Sequence, residues 1–177
     1  MLDFRSLWEE ALSFDQFVAA SAEEHRGLWQ GVHRLARVPE WAETTFAEGN
    51  ERRLLVLAED WCGDAVNTIP VLARWAEAVD GLSVRILRRD EHPEVMDRYL
   101  TNGSRSIPIV IALDEEFNQL GHWGPRPREL QAWVMANKNT MEKAERYKEV
   151  RRWYARDKGE TTIREVLEAM GVQAEVI

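Results

Sequence analysis

The sequence predicts an α/β fold, a central mixed β-sheet flanked by helices. Three observations carry that reading. An apolar run, Leu54-Leu55-Val56-Leu57-Ala58, has the length and composition of a buried strand. Apolar residues recur at helical spacing both before and after it. The element order that results, βαβα followed by ββα, calls for parallel and antiparallel neighbours in one sheet with helices on both faces.

The elements follow in order. Residues 1–48 read as helical. Ser13 and Gln16 have the spacing of a capping box ahead of Phe14, Phe17 and Val18. Leu28, Trp29, Val32, Leu35 and Ala36 recur at helical spacing until Pro39 ends that element, and Trp41 and Phe46 belong to a short helix beyond it. The strand spans 52–58. A helix over 63–79 carries the stripe Val66, Ile69, Leu72, Ala73, Ala76 and Val79, with Pro70 inside it as an expected kink. Ser83–Leu87 alternates as a strand, and a short helix covers Glu94–Leu100. The strand Ile109–Leu113 follows Ile107-Pro108, turns at Asp114–Asn118, and returns over Gln119–Trp123. A helix over 126–137 points Leu130, Trp133 and Val134 inward. A charged helix over 140–157 has a thin apolar stripe of Met141, Ala144, Tyr147, Val150 and Tyr154. Thr162 with Glu165 reads as a second capping box, and Gly171 as the C′ residue closing the last helix.

Composition narrows the function classes. With 45% hydrophobic and 31% charged residues the chain reads as an ordinary globular protein. A net charge of −8 excludes non-specific binding to nucleic acid or to an anionic membrane, both of which need a basic field. No stretch approaches the ~18 apolar residues of a membrane span. The opening Met1-Leu2-Asp3-Phe4-Arg5 lacks the apolar run of a signal peptide, so a cytoplasmic location is expected. One cysteine precludes an internal disulfide, which fits a reducing compartment. The eight tryptophans read as packing anchors.

That cysteine, Cys62, falls where the strand ends and the helix begins, in Glu59-Asp60-Trp61-Cys62-Gly63-Asp64-Ala65. The first amides of a helix lack internal partners and carry partial positive charge, so a thiolate there is stabilised and a lowered pKa is expected. The competing reading is an inert, buried small hydrophobe. Asp64 complicates the balance, because its charge favours the helix terminus but opposes a neighbouring thiolate. Glu59 and Asp60 read either as surface residues closing the strand or as carboxylates able to move protons near the thiol. His25, His33, His92 and His122 show no ligand spacing with Cys62 or with carboxylates, so no metal site is expected. Arg88, Arg89 and Arg105 read either as flanking the cysteine loop to attract an acidic substrate such as glutathione or, the plainer reading for Arg88 and Arg89, as surface arginines.

Trp61-Cys62-Gly63 at a strand end, Pro70 eight positions after the cysteine, and Ile107-Pro108 opening a later strand together resemble the thioredoxin fold. The likeness covers about residues 50–137, and the Asp-Trp-Cys-Gly-Asp wording looks most like a bacterial branch of thioredoxin-like proteins. It implies three parts of one compact unit: an N-terminal helical extension over 1–49, a thioredoxin-like domain over 50–137 and a C-terminal helical extension over 138–177. It also implies that Pro108 is a cis-proline facing a catalytic Cys62. The backbone of Ile107 would pair with an extended peptide or glutathione by strand addition. Trp61, Gly63, Asp64, Ile107, Pro108 and Arg105 would line the substrate site, with Trp61 over the thiol and Arg105 at the rim.

The departure from the family pattern is at residue 65. Dithiol thioredoxins carry Cys-Gly-Pro-Cys, whereas Ala65 stands where the resolving cysteine would be, so no internal thiol can release a mixed disulfide. Two functions follow. In the first, Cys62 exchanges disulfides as a monothiol, and glutathione or another low-molecular-weight thiol resolves the adduct as co-substrate, with no bound cofactor. In the second, the protein is a non-catalytic binding module that holds a protein thiol or peptide in the Ile107-Pro108 groove. The terminal helices then shape a partner surface or a homodimer contact.

Overall fold

The computed structural model describes residues 1–46 and 51–172. The boundary expected at residues 49–50 lies outside the described residues. Strand β1 (Arg52–Ala58) is central in the four-stranded sheet, whose order is β2-β1-β3-β4. It runs parallel to β2 (Leu82–Arg88) and antiparallel to β3 (Ile109–Leu113), which pairs antiparallel with β4 (Gln119–Trp123). Val56 lies opposite both Ile86 and Val110 in register.

Because strand side chains alternate faces, β1 feeds two cores. Leu54, Val56 and Ala58 enter the core shared with α5 (Gly63–Ala78), α2 (Phe14–Ala20), α3 (Glu23–Leu35) and α9 (Glu160–Ala169). Leu55 and Leu57 enter the opposite core with Leu7 and Trp8 of α1 (Phe4–Glu10) and Val95 and Met96 of α6 (Pro93–Met96). Each of the fully buried Leu and Val side chains of β1 contributes about 1.5–3 kcal/mol relative to exposure. The run at 54–58 is uniformly apolar because neither face of the central strand meets water.

The N-terminal helices are fastened to the sheet and to α5 by named contacts. The Ser13–Gln16 capping box forms, with both reciprocal hydrogen bonds. Leu12 and Ile86 exchange backbone hydrogen bonds of 2.9 and 2.8 Å, which occupies part of the outer edge of β2. Trp29 of α3 is fully buried, and the Trp75 indole N–H donates to the Ala42 carbonyl, fastening α4 (Glu40–Thr45) to α5. Leu28 and Leu35, expected in the same stripe as Trp29, are exposed. The contact face of α3 is narrower than its apolar pattern suggests. Helix α5 continues through the buried Pro70.

The C-terminal helices close one end of the sheet. Helix α7 (Arg128–Asn137) packs on α8 (Lys143–Asp157) through Leu130, Val134, Val150 and Tyr154, a small core of its own. The helix expected over 94–100 ends at Met96. Thr162 and Glu165 do not form a capping box. Lys158 and Gly159 both adopt left-handed backbone (φ +56° and +80°), which starts α9 at Glu160, and the Thr161 amide is capped by Asp157. Glu165 is instead buried in mid-helix, accepting from the Trp123 indole N–H at 2.8 Å and from the Arg128 amide. Gly171 follows the last helix with φ +76°, as a C′ glycine does.

Candidate functional site

Cys62 occupies the N-cap position of α5 in extended backbone, its carbonyl accepting from the Val66 amide at 3.1 Å. Its half-buried thiol touches both cores, and Sγ donates to the Ile107 carbonyl at 3.5 Å. The Ile107–Pro108 peptide bond is cis. Gly124 backs this segment at φ +121°, where a Cβ would collide with the Pro108 carbonyl oxygen. Gly63 faces open space, so sterics do not demand glycine there.

The expected low pKa of Cys62 does not survive the geometry. Burial pushes the thiol up, and the charge of Asp64 adds to it, against the amides of Ala65 and Asp64 and the more distant Arg126 cation. The helix terminus acts in the predicted direction but is outweighed. Asp64 is itself buried, and burial raises its carboxyl even though it is held from two sides. Arg126 Nη2 lies 2.9 Å from Oδ2, and the Tyr154 hydroxyl donates to Oδ1 at 2.8 Å. Tyr154 is driven well above the ordinary phenol range by its burial and then by the Asp64 charge.

Glu59 and Asp60 are neither surface residues nor proton carriers for the thiol. Arg88 bridges them at 3.3 and 3.0 Å, and Glu59 also accepts the Asp90 amide. Arg88 is therefore a partly buried structural cation and not a surface arginine, its guanidinium also lying over the Phe17 ring at 4.8 Å. Asp60 reaches across to the N-terminal helices. It accepts from His25 Nδ1 at 2.7 Å and from the Ala22 amide, while the Trp29 indole donates to its carbonyl. Burial by itself would raise the Asp60 carboxyl, but the hydrogen bonds from His25, Ala22 and Arg88 overcome it and bring the pKa down to about 2.

A cleft of about 620 Å³ opens beside the thiol. Of the predicted residues, Trp61, Cys62, Gly63, Asp64, Arg105 and Ile107 line it, and Pro108 does not. Trp61 is 54% exposed, with the Arg89 guanidinium 5.0 Å from its ring centroid. Arg105 stands at the rim in a two-point pair with Asp97 at 2.8 and 2.9 Å. The sequence passes Arg126 and Arg146 without a signal, Arg151-Arg152 among Glu145, Glu149 and Asp157 reads there as a solvated helix face, and Tyr154 as helix packing or a partner surface. Nothing in local spacing marks them, since Tyr154 lies 90 residues from Asp64. Among the described residues no group of three or more His, Cys, Asp or Glu side chains is arranged to hold a metal ion, and no helix is long and apolar enough to cross a membrane.

A β2-β1-β3-β4 mixed sheet, with one thiol at the head of the helix following β1 and a proline segment facing it, defines a thioredoxin-like α/β protein carrying extra terminal helices. Comparison with known proteins agrees: a family profile described as thioredoxin matches residues 11–151, and the chain belongs to that family. The match extends beyond residues 50–137, taking in most of the N-terminal extension and about the first third of the C-terminal one. No curated protein matches the chain. Among solved structures, a protein of unknown function from Pseudomonas aeruginosa superposes with a TM-score of 0.78 at 22% identity, over 97% of this chain and 98% of that one. An HIV epitope scaffold superposes with a TM-score of 0.76 at 20% identity, over 96% and 98%. These two likenesses speak to the fold alone, terminal helices included.

Proposed function

We propose that the protein is a thioredoxin-fold binding module that holds an extended peptide along Ile107 in the Cys62 cleft, without disulfide turnover. The observation that carries this is the state of the thiol. Cys62 is raised in pKa and bonded to the Ile107 carbonyl, which both disfavour the thiolate, and Ala65 stands in place of a resolving cysteine. Strand addition needs free main-chain groups, and among the described residues the Ile107 amide has no hydrogen-bond partner. Cys62→Ser tests the reading, because a serine hydroxyl can replace the thiol as donor to Ile107. Peptide binding measured by fluorescence polarisation should stay within about twofold of wild type. Loss of binding with the fold intact would overturn it.

A second reading, monothiol exchange, is favoured by the place of Cys62 in the lining of the cleft. Cys62 would lose its proton to solvent and attack a disulfide. One S–S bond would form as another breaks, the displaced sulfur leaving as a thiolate. Glutathione or another low-molecular-weight thiol would then release the protein by the same exchange. Incubation with oxidised glutathione followed by intact-mass measurement separates the readings: a stoichiometric adduct at neutral pH, removed by reduced glutathione, would install exchange in place of binding. A cytoplasmic bacterial setting suits either reading, given a single unpaired cysteine.

A further inference from the structure

We propose that the cleft selects an acidic peptide and that helix α8, outside the core α/β domain, reads its carboxylates. This rests on the peptide-binding reading and adds the chemistry of the partner. The chain carries a net charge of −8, yet five arginines line this cleft against one carboxylate, Asp64. A local reversal of the molecule's overall sign marks where an anion is favoured.

The arginines are not equivalent. Arg126 is neutralised by Asp64, while Arg89 and Arg105 share their charge with the exposed Asp90 and Asp97. The two from α8 are different. Arg146 donates to the carbonyls of Lys138 and Met141, both at 3.2 Å, which steadies its side chain without cancelling its charge. Arg151 has neither a hydrogen bond nor an ion pair among the described residues. Two uncancelled guanidinium groups on one wall suit carboxylates, which arginine can bind through two parallel N–H donors.

The cleft is also lined by three exposed apolar side chains, Leu28, Trp61 and Tyr147, each about half exposed or more. In an extended peptide, side chains alternate between opposite sides about every 3.3 Å. A segment alternating acidic and apolar residues would set carboxylates toward Arg146 and Arg151 and apolar groups onto Trp61 and Tyr147. Its main chain would remain within reach of the Ile107 amide. A basic segment would meet like charge at Arg146 and Arg151.

The test is fluorescence polarisation on the full chain with labelled octapeptides that alternate glutamate with phenylalanine or leucine, and with counterparts carrying glutamine or lysine. The glutamate peptide should bind about tenfold more tightly than the glutamine peptide and weaken as salt rises, with the lysine peptide weakest. Reversing both charges, Arg146→Glu with Arg151→Glu, should abolish the glutamate preference and improve lysine binding. Circular dichroism checks the fold. Arg151→Gln, which removes a side chain without partners, keeps the test intact should the double variant unfold, and should weaken glutamate binding about two- to fivefold. Equal binding of the glutamate and glutamine peptides, insensitive to salt, would overturn the acidic preference and leave the peptide reading standing. Failure of all three peptides to bind would overturn both.

Discussion

Tyr154 donates a 2.8 Å hydrogen bond to Asp64, joining the C-terminal helix α8 to the first turn of α5 beside the thiol. The same carboxylate pairs with Arg126 on the segment leading into α7. Asp64 therefore fastens three parts of the chain at one buried point. Within the small α7–α8 core, Val134 and Val150 line the cleft and Tyr154 holds Asp64 beside it.

Removing a member of that cluster should cost according to what it leaves unpaired. Tyr154→Phe is expected to destabilise the protein by about 1.5–3 kcal/mol, the range for a hydrogen bond to a charged group. Asp64→Ala should cost about 3–5 kcal/mol, because it leaves the largely buried Arg126 guanidinium without a counter-charge. Urea unfolding of the two single variants and the double variant gives the coupling. Strict additivity would mean that Tyr154 and Asp64 do not act as a unit.

The thiol gives a prediction with a defined sign. Negative charge near a thiol disfavours the thiolate, so Asp64→Asn should lower the midpoint of alkylation rate against pH. The wild-type midpoint should lie above the ordinary cysteine range, because burial acts first and Asp64 second. In the variant Arg126, released from Asp64, acts in the same lowering direction. An unchanged or higher midpoint would show that Asp64 does not govern the thiol.

How much of this was legible in the sequence depends on distance along the chain. Strand β1, the Ser13–Gln16 box and the Cys62 junction were readable because each is encoded within a few residues. Thr162 and Glu165 have the spacing of a capping box, but spacing alone does not say where a helix begins. The left-handed pair Lys158-Gly159 starts α9 earlier and leaves Glu165 to serve Trp123 and Arg128. Glu59 and Asp60 looked like surface charges because their partners, Arg88 and His25, lie about 30 residues away on either side. For Cys62, the helix terminus was visible but the burial that outweighs it was not.

Asp60 should appear in the acid limb of stability. Its folded pKa, about 2, lies below its ordinary value of 3.8, so the stabilisation is present above pH 4 and is lost as pH falls toward 2. A shift of this size corresponds to about 2 kcal/mol. Asp60→Asn should therefore be less stable than wild type by about that amount at pH 7, and the gap should close near pH 2. Thermal unfolding followed between pH 2 and 7 checks this. A gap independent of pH would mean that the carboxylate charge is not what holds His25, Ala22 and Arg88.

Gly124 tests whether the Ile107-Pro108 segment is the binding surface. At φ +121° an alanine is strained, and its Cβ would meet the Pro108 carbonyl oxygen, so the segment beside Cys62 must move. Gly124→Ala is expected to cost at least about 2 kcal/mol and to weaken peptide binding. Gly103→Ala is the control. It also has positive φ, +79°, but no neighbour lies within 4 Å of its Cβ, so it should carry backbone strain of about 1 kcal/mol and leave binding unchanged. If both variants lose stability but bind peptide as wild type does, the surface at Ile107 is not where the peptide lies.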